Sequence, residues 1–152
     1  MDFEKRLKEL FIDLPEVRPT SQALSSAVQS GKLLYLTGQL PYSEGKLSFK
    51  GKLGLEILSD QGMLAARYAL FHCLSVIQDT LGSLNKVKQV VQLSGWMATG
   101  GDFKDHDRVL DAASQLLTEI FGPMGKHTRI AIGVNTLPHG ACLELALVVE
   151  VR

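Results

Sequence analysis

Only two cysteines, Cys73 and Cys142, occur in 152 residues, and neither has a second cysteine or a histidine at metal-ligand spacing. That argues against a disulfide scaffold and a thiolate metal site. It leaves two small apolar side chains suited to a reducing compartment. An excess of one charge is also missing, because sixteen Lys and Arg offset sixteen Asp and Glu. A dedicated nucleic-acid binder carries a basic surplus, so nucleic acid is not the expected partner, although the balance says nothing about a local basic pocket. No run approaches the roughly 18 apolar residues of a membrane-crossing helix. Residues 1–14 place Asp2, Glu4, Glu9 and Asp13 among their apolar positions, unlike a secretory leader, which makes the cytoplasm the default expectation.

Recognisable catalytic signatures are scarce as well. The four histidines, His72, His106, His127 and His139, never stand three or four residues apart, so no metal site is expected. The segment from Gly122 to His127 has glycines and a lysine but lacks the phosphate-loop spacing and the Ser or Thr after the lysine. No GxGxxG follows a strand, and no GxSxG nucleophile elbow is present.

What is present is the pattern of one ordinary domain spanning residues 1–152, 45% apolar and 21% charged. Phe3, Leu7, Leu10 and Phe11 predict a short amphipathic helix within an N-terminal extension, residues 1–14. Pro15 and Pro19 then keep the chain extended. Strands are predicted over 23–29 and 32–37, joined tightly at Gly31-Lys32, followed by a loop over 42–54 with a short strand near 47–49. Ser59 or Asp60 is the expected cap of a long helix whose stripe runs Met63, Leu70, Leu74, Ile77 and Leu81, ending at Gly82. A strand over 86–97 precedes a second helix starting near Asp102 or Asp105, and two strands, about 128–136 and 141–151, close the chain. The order β-β-α-β-α-β-β predicts a single two-layer α+β domain, a mixed sheet of five or six strands with two helices on one face. The runs LLYL and ELALVVEV do not alternate cleanly, so the other face is apolar too, and a partner subunit is its simplest cover.

Three blocks together resemble the Rid family, the reactive-intermediate imine deaminases also filed as L-PSP endoribonuclease-like proteins. Arg18-Pro19-Thr20-Ser21-Gln22-Ala23 resembles its G-P-Y-S-Q-A. Leu36-Thr37-Gly38-Gln39-Leu40-Pro41 is similar to its S-G-Q-x-P turn. Thr128-Arg129 through Leu137-Pro138 to Leu143-Glu144-Leu145 is similar to its A-R-x-x-V-x-V-x-x-L-P followed by I-E-I. The resemblance covers about residues 15–152 and is closest to a longer, less characterised branch, through Lys86 to Gly95 and His127 to Val134. It implies the chorismate-mutase-like fold, a homotrimer and a pocket at each subunit interface.

By that resemblance Arg129 holds the carboxylate of a 2-imino acid, and Glu144 orients or activates a water or bonds the imine nitrogen. Thr20, Thr37, Gly38, Asp107 and Ala131 occupy further ligand-binding positions. The residue types suit the chemistry. A guanidinium grips a carboxylate through a two-pronged fork, and a carboxylate in an apolar strand such as CLELAL needs a partner, either Arg129 or a water. The implied reaction is hydrolysis of a C=N bond to a 2-keto acid and ammonia, without metal or organic cofactor. Three positions depart from the deaminase pattern: Thr20 replaces a tyrosine, Asp107 an asparagine and Ala131 a cysteine. Those departures keep two other readings open, a non-catalytic protein that binds a small carboxylate, and the endoribonuclease or translation inhibitor of the older family label.

Overall fold

The computed structural model describes all 152 residues. Its elements are α1 (Phe3–Glu9), β1 (Ala27–Ser30), β2 (Leu33–Leu36), β3 (Tyr42–Ser43), β4 (Lys46–Leu47), α2 (Ser59–Leu81), β5 (Val87–Ala98), α3 (His106–Phe121), β6 (Thr128–Val134) and β7 (Leu143–Val151). Five strands form one mixed sheet in the order β1-β2-β7-β5-β6, so β1 and β6 are its edges. Only β5 and β6 pair in parallel, with α3 as the crossover that parallel strands require. The α+β two-layer expectation is met, with five strands.

Local sequence accounts for most element ends. Gly31 takes φ 61° at the first central position of the two-residue β1–β2 turn. Gly82 ends α2 in the left-handed region, donating to the Gln78 carbonyl. The start of α2 differs from expectation. Leu58 is its N-cap, and Gln61 reaches back to accept from the Leu58 amide at 2.8 Å, whereas Ser59 and Asp60 already lie in the first turn. Ser59 Oγ instead donates to Asp105, the N-cap of α3, at 3.0 Å, which ties the two helix starts together. The 42–54 loop holds a small β3–β4 hairpin rather than a strand at 47–49.

The core lies between the helices and one face of the sheet. β7 alternates strictly, with Leu143, Leu145, Leu147 and Val149 buried toward α2 and α3. The N-terminal extension is docked: Phe3 packs edge-on to Phe121 at 4.8 Å, and Glu4 accepts from Gln78 at 2.9 Å and the Leu84 amide at 2.7 Å. The opposite face of the sheet has no layer over it in the single chain. Val28, Tyr35, Ile130 and Ile132 on that face are 58, 48, 44 and 42% exposed. Both cysteines are free and buried, and burial pushes the Cys142 thiol up to about 12 and raises Cys73 as well, so neither is a thiolate near neutrality.

Candidate functional site

The expected site residues fall into two places. The first is built where the chain leaves β2. Gln39 exchanges backbone hydrogen bonds with Leu145 at 2.7 and 2.9 Å, which lays Gly38 directly over the next side chain outward on β7, Glu144. A Cβ at position 38 would overlap the Glu144 carboxylate, so glycine is what allows the approach. Glu144 shares its register with Trp96 and therefore faces the open side of the sheet. It is half-buried and hydrogen-bonds to no protein group, and burial raises its carboxyl above the usual range. Around it lies a pocket of about 410 Å³ that Thr20, Thr37 and Gly38 line, together with Arg18, Tyr42 and His139. Thr20 donates to the Leu24 carbonyl at 3.3 Å and keeps its oxygen lone pairs free. The Arg18 guanidinium lies over the Tyr42 ring, 3.4 Å from its centroid.

The second place is the edge strand β6. Arg129 pairs in register with Leu93, a buried neighbour of the helices, so it faces the helix layer. There α3 presents Asp107, Asp111 and Ser114, spaced by four and three so that they share one helix face. Arg129 Nη2 donates to Asp107 at 2.9 Å, and Nη1 donates to Asp111 at 2.8 Å and to Ser114 Oγ at 3.1 Å. His127 supports the arrangement. Its Nδ1–H donates to the Gly125 carbonyl at 2.6 Å, so Nε2 accepts from Ser114 Oγ–H at 2.9 Å, which leaves the Ser114 oxygen free to accept from Arg129. A polar groove of about 360 Å³ runs alongside, lined by Lys126, His127, Arg129, Ser114, Gln115 and Thr118.

Within one chain, then, Thr20, Thr37, Gly38 and Glu144 come together, and Arg129 and Asp107 come together on the other side of the sheet. Ala131 sits two residues from Arg129 on the same, helix-facing side, packed against the core. The expected Arg129 partner for Glu144 is absent in the same chain, because odd and even positions of paired strands point to opposite faces. Asp107 points at Arg129. Asp111 and Ser114 escaped the sequence reading, although their spacing from Asp107 along α3 was available as a signal. Arg18 and Tyr42 escaped it because nothing local shows that they stack. His72 is hydrogen-bonded through Nε2, which donates to the Tyr42 carbonyl at 3.0 Å. Its Nδ1 is buried without a partner, and burial lowers its pKa. No group of three or more His, Cys, Asp or Glu side chains is arranged to hold a metal ion. No helix is long and apolar enough to cross a membrane.

Comparison with known proteins gives a consistent result. The family described as "YjgF/chorismate mutase-like, putative endoribonuclease" matches residues 4–151. Protein TCP17 of Trypanosoma cruzi is 35% identical over 147 residues, 96% of this chain and 92% of that protein. Among solved structures, protein Atu1372 of Agrobacterium tumefaciens, described as of unknown function, is 32% identical with a TM-score of 0.92 over 99% of this chain and 92% of that one. A Shewanella oneidensis MR-1 protein described as a "putative endoribonuclease" is 30% identical with a TM-score of 0.96, covering 99% of this chain and all of that one.

Proposed function

The chain belongs to the YjgF/chorismate-mutase-like, or Rid-like, family, and from that premise we propose that it hydrolyses small 2-imino acids to 2-keto acids and ammonia. The observation that carries the reading is Glu144: a half-buried carboxylate without a protein partner, made more basic by burial and set against Gly38 in a pocket of small-molecule size. Water attacks the imine carbon, its oxygen forming the new bond while the C=N π pair moves onto nitrogen. Glu144 takes the water proton and delivers it to that nitrogen. The carbinolamine then collapses: its hydroxyl proton passes through Glu144 to the amine nitrogen, the C=O bond forms, the C–N bond breaks and ammonia departs. Imines of this kind already react with water, so positioning contributes much of the acceleration.

The substrate carboxylate requires a cation, and Arg129 of a neighbouring copy fills that role in this reading. The open apolar sheet face then packs inward in a homotrimer, bringing one copy's β6 edge to the next copy's Glu144 pocket. Asp107 and Asp111 must yield for this. Their side chains are 85 and 52% exposed against 20% for Arg129, and pairs screened by solvent at the carboxylate are worth about 1 kcal/mol each, so a ligand carboxylate can replace them. The test is turnover of freshly generated 2-iminopropanoate together with sedimentation of the free protein. Keto-acid release that depends on both Glu144 and Arg129, from a trimer, supports the reading. Release unchanged by Glu144→Gln, or a monomeric protein with full activity, rejects it.

A second reading rests on the departures at Thr20, Asp107 and Ala131, Asp107 being paired with Arg129: a carboxylate-binding protein without turnover. Thermal stabilisation by 2-keto acids with no imine hydrolysis would favour that alternative.

A further inference from the structure

Arg18 is the cation of the Glu144 pocket, and its surroundings differ from those of the arginines engaged elsewhere. Arg6, Arg108 and Arg129 each donate to a carboxylate. Arg18 is half-buried yet makes no ion pair and no hydrogen bond to protein, although Asp13, Glu16 and Glu44 line the hollow on its other side. What holds it is the Tyr42 ring, 3.4 Å away. A guanidinium's N–H bonds all lie in its plane, so a ring stacked on one face fixes the group while leaving its hydrogen-bonding edges free. The result is a preset, partly desolvated fork with unused donors, the kind of group that grips a carboxylate in two-pronged fashion.

Position narrows the role. Arg18 and Glu144 line the same pocket but make no ion pair or hydrogen bond with each other, so neither neutralises the other. On its other side Arg18 shares a hollow with Tyr42 and His72. The pocket therefore has a reacting end at Glu144 and Gly38 and a cationic end at Arg18 and Tyr42, with the short side chains of Thr20 and Thr37 also lining it. Accepting the reading of Glu144 as the hydrolytic centre, with the α-carboxylate held by Arg129 of a neighbouring copy, we propose that Arg18 binds a second anionic group on the substrate, so that the preferred substrates are 2-imino dicarboxylic acids rather than monocarboxylic ones. Each reaction remains addition of one water and release of one ammonia, giving a 2-keto dicarboxylate.

The experiment compares the full-length protein with its Arg18→Gln and Arg18→Lys variants, using imines generated in place from aspartate and from alanine. The parent is expected to favour the dicarboxylic imine in kcat/KM by on the order of tenfold to a hundredfold, the range of one charge-assisted contact. Arg18→Gln is expected to lose that preference, chiefly through KM for the dicarboxylic imine, and Arg18→Lys to recover part of it. A parent without the preference, or an Arg18→Gln variant that retains it, overturns the proposal while leaving imine hydrolysis standing. Calorimetry with oxaloacetate and pyruvate separates the two ideas from the other side. Tighter oxaloacetate binding that depends on Arg18, in a protein that turns over neither imine, upholds the anion-reading role and rejects the hydrolytic one. Equal binding of both keto acids by parent and variants rejects the Arg18 role.

Discussion

The Glu144 pocket and the Arg129 edge lie on opposite faces of one sheet and are built in opposite ways. At Arg129 the charge is satisfied: two aspartates and a serine accept from it, and His127 steadies the serine. In the pocket the charges are unsatisfied: Glu144 has no partner, and Arg18 is held by an aromatic ring rather than by an acid. A satisfied ion pair stabilises local structure but resists a ligand. An unsatisfied buried group costs stability and is poised for chemistry. The pocket is accordingly where reactivity is expected, and the edge is where a ligand must first displace internal partners.

The sharpest way to break the comparison is Glu144→Gln, which is expected to lower imine turnover by about 10²–10⁴, the usual share of a general base. Retained turnover would move the chemistry out of the pocket. Gly38→Ala comes next. The new methyl meets the far end of a flexible side chain, so the carboxylate is displaced and the fold survives. Turnover is expected to fall about 10²-fold with melting shifted by only a few degrees, as calorimetry alongside kinetics will show. Arg129→Gln should raise KM for a monocarboxylic imine by roughly 10- to 100-fold, the range of a charge-assisted contact. Asp107→Asn combined with Asp111→Asn should do the reverse, tightening keto-acid binding severalfold in calorimetry. Its stability cost should stay below about 2 kcal/mol, since both carboxylates are exposed and screened by solvent.

The smallest effect is on pH-dependent stability. Burial raises the folded-state pKa of Glu144, so the folded chain favours the protonated form, and ionisation removes stability as pH rises from the ordinary carboxylate range through the raised value. Glu144→Gln should therefore melt slightly higher than the parent at neutral pH, on the order of 1 °C given partial solvent screening. The difference should vanish below about pH 4. A parent that melts higher than the variant at pH 7 would mean that Glu144 has a stabilising partner.

Much of this was legible in the chain itself. Hydrophobic period located all three helices and the five main strands, because helix and strand burial repeat at 3.6 and 2 residues whatever the tertiary context. Arg129, Glu144, Thr20, Thr37, Gly38, Asp107 and Ala131 were named from their motifs. Their separation into two groups was not visible, because it depends on strand register. Arg129 pairs with Leu93 and Glu144 with Trp96, and a shift of one residue would exchange their faces. The N-cap of α2 was misplaced for a related reason. Ser59 bonds across to Asp105, a partner 46 residues away, in place of its own helix.

The sequence by itself determined the α+β layering, the absence of an excess charge and the residue types available for carboxylate chemistry, since these follow from composition and local periodicity. The tertiary structure decided which charges are neutralised and which stay free. It stacked Arg18 on Tyr42, set Gly38 against Glu144 and turned Asp107 and Asp111 onto Arg129. Partnership among charged side chains depends on distances between segments far apart in the chain, and only packing sets those distances.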